Sequence, residues 1–178
     1  MKLTLVRHAE VEEKYHKKYN GHNKIALSTK GKVQAKELCK RLNDLEFDSI
    51  YCSDLPRAKE TIKYFKHKEQ IVYTNRLREK SWGKHEGLSF DEIIAQGEIK
   101  YENFLQWIDA LDGEDYEKYV SRIKEFFLVF LPSINKDNIL IVTHAGVIRV
   151  LLSILKKIKL EDAFSIKIDY GELIIENI

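Results

Sequence analysis

Two histidines in this sequence stand where apolar runs end. Leu5-Val6-Arg7-His8 closes the first run, and Ile139-Leu140-Ile141-Val142-Thr143-His144-Ala145-Gly146 closes a later one. In an open α/β sheet, ligands bind just outside the carboxyl ends of the strands. Arg57 follows a third run at residues 49–52, and Glu79 follows a fourth at residues 71–73. Together these residue types could carry out phosphoryl transfer, which needs a nucleophile in line with phosphorus, cations around its oxygens and an acid for the leaving oxygen. A neutral His8 could attack phosphorus while its other ring nitrogen keeps the proton that fixes the tautomer. Arg7 beside it offers a planar fork to phosphate oxygens. The surrounding positive charge favours the neutral form of His8. Glu79 is the candidate proton donor, and Glu86, in the same loop, is the carboxylate that competes with it for that role.

These residues need strands and helices to bring them together. Residues 3–6 read as a buried strand. Residues 10–24 lack apolar periodicity and read as a loop. Ser28-Thr29-Lys30-Gly31 opens a helix whose Ala35, Leu38, Cys39, Leu42 and Leu45 share a face. A second strand spans 49–52, and Pro56 starts a helix through Phe65 that carries Arg57 in its first turn. A third strand spans 71–73. Residues 75–113 carry no strand signal and mix aromatic with charged residues, so they read as a cap insertion, a loop followed by two short helices. A stripe from Tyr116 to Leu131 predicts a helix ending at Pro132. Residues 139–142, uniformly apolar, form a central strand. The helix after it runs from Gly146 to Lys157 and places His144 beside amides that favour anions. Phe164, Ile166 and Ile168 alternate before Asp169-Tyr170-Gly171 and Leu173 to Ile175, which predicts an edge hairpin. The fold expected is one α/β domain over residues 1–178: a three-layer α/β/α sandwich with a mostly parallel sheet and an antiparallel edge strand or hairpin.

Composition narrows the function classes. With 178 residues, 44% of them apolar and 33% charged, the chain reads as globular and soluble. A formal charge of +2 gives no overall basic field for nucleic acid. No apolar run reaches the roughly 18 residues that span a bilayer, and no stretch resembles a signal peptide. Cys39 and Cys52 lack metal-ligand spacing and read as reduced core residues of a cytoplasmic protein. No His/Asp/Glu cluster has the pattern of a metal site.

Several motifs, in order along nearly the whole chain, carry a resemblance. Leu5-Val6-Arg7-His8, Ser53-Asp54-Leu55 with Arg57-Ala58, Leu77-Arg78-Glu79 with Trp82-Gly83 and Glu86-Gly87, and Val142-Thr143-His144-Ala145-Gly146-Val147-Ile148-Arg149 resemble the histidine phosphatase superfamily. This is the phosphoglycerate-mutase-like family with an Arg-His-Gly signature. The resemblance implies His8 as a phosphorylated nucleophile, with Arg7, Arg57 and His144 completing the phosphate pocket. It implies Glu79 as the acid, then as the base that activates water, and it implies no metal or other cofactor. Three positions depart from the pattern: Ala9 replaces the signature glycine, Val11 replaces threonine, and Lys14 stands where an asparagine contacting phosphate is common. Lys14 is therefore a candidate anion contact.

The short chain favours a phosphatase over the mutase branch. Tyr19-Asn20-Gly21-His22 before Leu27-Ser28 is similar to the loop of α-ribazole phosphatase-type members, which act in cobalamin biosynthesis. That likeness makes Gly21 and His22 candidate substrate contacts, with loop capping the other reading of His22. The expected partner is a small-molecule phosphomonoester, with no nucleic acid or membrane and with a homodimer left open. Phosphoglycerate mutase and a non-catalytic phosphate-ligand-binding relative are the alternatives. His16 and His67 read as surface residues, Trp82, Tyr101 and Trp107 as packing residues, and Arg149 as a partner for a nearby carboxylate.

Overall fold

The protein is described by a computed structural model covering residues 1–97 and 99–178. In chain order the elements are β1 (Lys2–Arg7), α1 (Thr29–Asn43), β2 (Ser49–Ser53), α2 (Pro56–Thr61), β3 (Ile71–Thr74), α3 (Phe90–Ile94), α4 (Phe104–Ala110), α5 (Tyr116–Lys124), α6 (Leu131–Ser133), β4 (Asn138–Thr143), α7 (Ala145–Lys156), α8 (Leu160–Ser165) and β5 (Leu173–Asn177). The sheet order is β3-β2-β4-β1-β5, which puts the uniformly apolar β4 at the centre. The β1–β4, β2–β4 and β2–β3 pairs are parallel, and β5 runs antiparallel to β1 at one edge.

Side chains alternate across each strand, so the central strands feed two cores. Leu3, Leu5, Ile139 and Ile141 face one side, packed with Tyr119, Ile123 and Phe126 of the α5 region and with Val147, Ile148 and Leu151 of α7. Val6, Leu140, Val142, Ile50 and Cys52 face the other, packed on Leu38 and Leu42 of α1 and on Ala58 of α2. Helices on both faces of a mostly parallel sheet make the three-layer sandwich. Cys39 and Cys52 are buried free thiols within it.

Three sequence expectations need correction. The edge hairpin is a single strand. Its supposed first arm is partly helical, because Leu160, Ala163 and Phe164 also fit helical spacing and pack: Leu160 joins the core, Ala163 is buried, and Phe164 lies 5.0 Å from the Phe104 ring. α2 stops at Thr61 instead of reaching Phe65. Beyond it the chain tightens, and the Phe65 amide bonds the Ile62 carbonyl three residues back. The helix at 116–131 does not end at Pro132. It widens into a π turn at Glu125–Phe130 and re-forms as α6, and this change carries the chain past a proline that has no N–H for the ladder. Among the described residues, no helix is long and apolar enough to cross a membrane.

Candidate active site

Parallel pairing brings the two strand-end histidines together. Arg7 pairs with Thr143 in the β1–β4 register, and the His8 amide donates to the Thr143 carbonyl at 2.9 Å. His8 and His144 are each one residue further on, and their ring centroids lie 5.2 Å apart. Both side chains are buried. His8 Nδ1 sits 2.9 Å from the carbonyl of Ala9. A carbonyl only accepts, so Nδ1 carries the proton and Nε2 keeps its lone pair. Burial, then the charges of Arg57 and Arg7, push His8 well below the ordinary histidine value. Burial and the same two arginines, with His8 itself, do the same to His144. The neutral rings are therefore the stable ones. Ser53, at the end of β2, shares a hydrogen bond with His144 Nε2 at 2.8 Å.

The arginines are held by carbonyls and by a ring. Arg57 is 1% exposed and donates to the carbonyls of Gly21 at 2.7 Å, Asn20 at 3.2 Å and Asn23 at 3.3 Å. Burial pulls its guanidinium down to about 10, which still leaves it charged at neutral pH. Arg7 donates to the Ile168 carbonyl at 2.5 Å and lies 3.8 Å over the Tyr170 ring, a cation–π clamp. The Nε atoms of both arginines, and Nδ1 of His144, have no hydrogen-bond partner among the described residues. Buried cations with unfilled donors suit an anionic ligand.

The two competing carboxylates separate by geometry. Glu79 Oε2 accepts from the Gly146 amide at 2.9 Å, while Oε1 accepts from the Tyr119 hydroxyl at 2.6 Å and the Lys80 amide at 3.1 Å. Gly146 makes this approach feasible, because a Cβ there would collide with the carboxylate. Glu86 is occupied elsewhere. It accepts from the amides of Gly21 at 2.8 Å, His22 at 2.7 Å, Trp82 at 3.1 Å and Asn23 at 3.2 Å, and so anchors the loop whose carbonyls hold Arg57.

A cavity of about 250 Å³ opens here, lined by Arg7, His8, Arg57 and Glu79. Lys17, Lys18, Lys80, Arg149 and Gly146 also reach it, with Tyr15, Tyr19, Trp82, Tyr116, Tyr119, Phe164 and Tyr170 as aromatic wall. Lys14 does not line it: the side chain is exposed and pairs with Glu12 at 2.7 Å. Gly21 and His22 lie behind the lining. Gly21 acts through its backbone, and His22 Nε2 bonds the Glu79 carbonyl at 3.0 Å. Two further expectations fail. Arg149 donates to the Ile166 carbonyl at 3.0 Å instead of to a carboxylate, and His16 is tucked against Val11 and Tyr170 instead of being solvated. Trp107 does pack, donating to the Tyr19 hydroxyl at 2.6 Å. Among the described residues, no group of three or more His, Cys, Asp or Glu could hold a metal ion.

Three residues of this site were missed in the sequence: Tyr119 and Lys80 line the cavity, and Arg122 supports it from behind. Tyr119 sat in a helical stripe that signalled core only, and nothing local marked Arg122 or Lys80.

The order of strand-end residues and this geometry agree with a family model for the histidine phosphatase superfamily, branch 1, which matches residues 3–177. The chain belongs to that superfamily. Among relatives of this histidine phosphatase, the adenosylcobalamin/α-ribazole phosphatase of Escherichia coli K12 is 27% identical over 176 residues, spanning 96% of this chain and 87% of the relative. Phosphoserine phosphatase 1 of Hydrogenobacter thermophilus is 28% identical over 178 residues, spanning 95% and 82%. The crystal structure of the α-ribazole phosphatase from Shigella flexneri superposes with a TM-score of 0.83 at 27% identity, covering 100% of this chain and 91% of that one. The protein is a phosphatase of the histidine phosphatase superfamily, with phosphoric monoester hydrolysis as its activity.

Proposed function

We propose that this phosphatase works through a phosphohistidine on His8. The single observation that carries the reading is the Nδ1–H to Ala9 carbonyl bond, which leaves Nε2 unprotonated beside two fixed arginines. Nε2 attacks phosphorus, the N–P bond forms, and the P–O ester bond breaks. Arg7, Arg57 and His144 hold the transferring oxygens, and Glu79 gives its proton to the leaving oxygen. Glu79 then takes a proton from water, which attacks the phosphohistidine, releasing inorganic phosphate and restoring His8. None of these steps calls on a metal or other cofactor. The whole chain acts as one catalytic unit, with residues 75–113 as the cap that selects the leaving group, and works in the cytoplasm, where the thiols of Cys39 and Cys52 stay reduced.

The substrate best supported is α-ribazole 5′-phosphate. Its flat benzimidazole suits a wall that includes Tyr19, Trp82, Tyr116 and Phe164, and relatives bear that activity in their names. A second reading, a phosphomonoester with another anionic group such as phosphoserine, is favoured by the additional cations Lys17, Lys18, Lys80 and Arg149 in the lining. His8→Ala should abolish p-nitrophenyl phosphate turnover with an unchanged circular dichroism spectrum. Wild-type protein quenched in alkali should carry phosphate on His8 by mass spectrometry. Turnover retained by the variant would sink the mechanism. The ratio of kcat/KM for α-ribazole 5′-phosphate, phosphoserine and 3-phosphoglycerate decides the substrate, since a mutase would isomerise the last and release no phosphate.

A further inference from the structure

Glu79 does not stand on its own loop alone. The segment before it is tied down at successive positions. Thr143 Oγ1 donates to the Leu77 carbonyl at 2.8 Å, and Arg78 forks onto Asp54 with both contacts at 2.6 Å. Arg122 Nη1 donates to the carbonyls of Arg76 at 2.8 Å and Arg78 at 3.0 Å, while its other guanidinium nitrogens grip Glu114. Tyr119 lies one turn before Arg122 on α5, on the same face. Its hydroxyl reaches past the backbone to Oε1 of Glu79 at 2.6 Å.

We infer that Tyr119 is a positioning residue that aims the acid: by occupying Oε1 it directs the transferable proton of Glu79 to Oε2. Oε1 already accepts from two donors, Tyr119 and the Lys80 amide, whereas Oε2 accepts from one, the Gly146 amide. A carboxyl oxygen has two lone pairs, so Oε2 retains one for the proton. Tyr119 keeps its own proton: burial and the neighbouring Glu79 push the phenol well above its ordinary value, so it remains a donor. Its ring is part of the cavity wall, while its hydroxyl acts through Glu79. The inference rests on Glu79 being the acid.

The test separates the two claims. Proton donation matters for a poor leaving group and little for a good one, so the contrast between glycerol 2-phosphate and p-nitrophenyl phosphate reports on the acid. Glu79→Gln should lower kcat/KM for glycerol 2-phosphate by about 10²-fold or more, and for p-nitrophenyl phosphate far less. Tyr119→Phe should lower the first about tenfold and the second less than about twofold, because a misaimed acid loses part of its effect. Equal losses on both substrates with Tyr119→Phe, or no loss on either, overturn the inference while a selective Glu79→Gln effect leaves the acid role standing. If Glu79→Gln itself shows no selectivity, the acid role fails and the Tyr119 inference fails with it.

Discussion

Arg57 donates to the carbonyl of Gly21 at 2.7 Å, and the amide of the same glycine donates to Glu86 at 2.8 Å. A carboxylate outside the cavity thereby sets where a cation inside it sits. Gly21 is needed for this, because a Cβ there would collide with Glu86 and with the Lys80 carbonyl. Glu86→Gln turns an NH2 toward amides that need acceptors. Stability to urea should fall by roughly 1–3 kcal/mol, the cost of a buried donor left unmet. Competitive inhibition by inorganic phosphate should weaken by about tenfold as Arg57 loosens. Unchanged phosphate inhibition would mean that Arg57 is held without this loop.

Gly146 gives a second prediction. A methyl group there collides with the Glu79 carboxylate, yet alanine suits the start of α7 better than glycine. Gly146→Ala should lower kcat/KM for an alkyl phosphate by about tenfold or more, with Tm held or raised. A Tm that fell along with activity would show that the helix, not the carboxylate, gives way.

The buried histidines predict the response to acid. His8 and His144 both lie well below the ordinary histidine value in the folded protein. Below about pH 6.5 the unfolded chain therefore binds more protons than the folded one. The stability linked to these two rings is complete above about pH 6.5 and is lost as pH falls toward their lowered values. Tm measured from pH 8 to pH 5 should drop on the acid side. The acid limb of kcat/KM should lie below about pH 6.5, since His8 stays neutral there. An acid limb at or above that pH would contradict a buried, neutral His8 as the proposed nucleophile.

The loop cation and the aromatic wall predict opposite outcomes. Lys14→Ala should leave KM within about twofold, because the exposed ammonium pairs with Glu12 and lies over the outer Tyr15 ring without lining the cavity itself. Trp82→Ala should raise KM for α-ribazole 5′-phosphate more than for a small alkyl phosphate, because the indole is part of the cavity wall. Steady-state kinetics on the two substrates check both.

Much of the fold was legible because apolar pattern and burial follow the same physics. The run at 139–142 is apolar on both faces because β4 has helices on either side. The alternation at Phe164, Ile166 and Ile168 misled because Phe164 also completes the helical spacing of Leu160 and Ala163, while Ile166 and Ile168 lie beyond that helix. Packing on the neighbouring helix and on Phe104 separated the two readings. Pro132 misled because a stop signal acts on an ideal helix, and the π turn changed the ladder before reaching it.

The sequence by itself determined the chemistry available: Arg7 and His8, Arg57, Glu79 and His144 at strand ends, whose convergence follows from parallel pairing in an open sheet. It could not place Glu79 in the cavity lining and Glu86 outside it, admit Lys17 and exclude Lys14, or show that Tyr119 reaches Glu79. Those choices depend on contacts between residues tens of positions apart, such as Glu86 with Gly21 and Tyr119 with Glu79. Local pattern reports which face a side chain takes. Only the packed chain decides what that side chain meets.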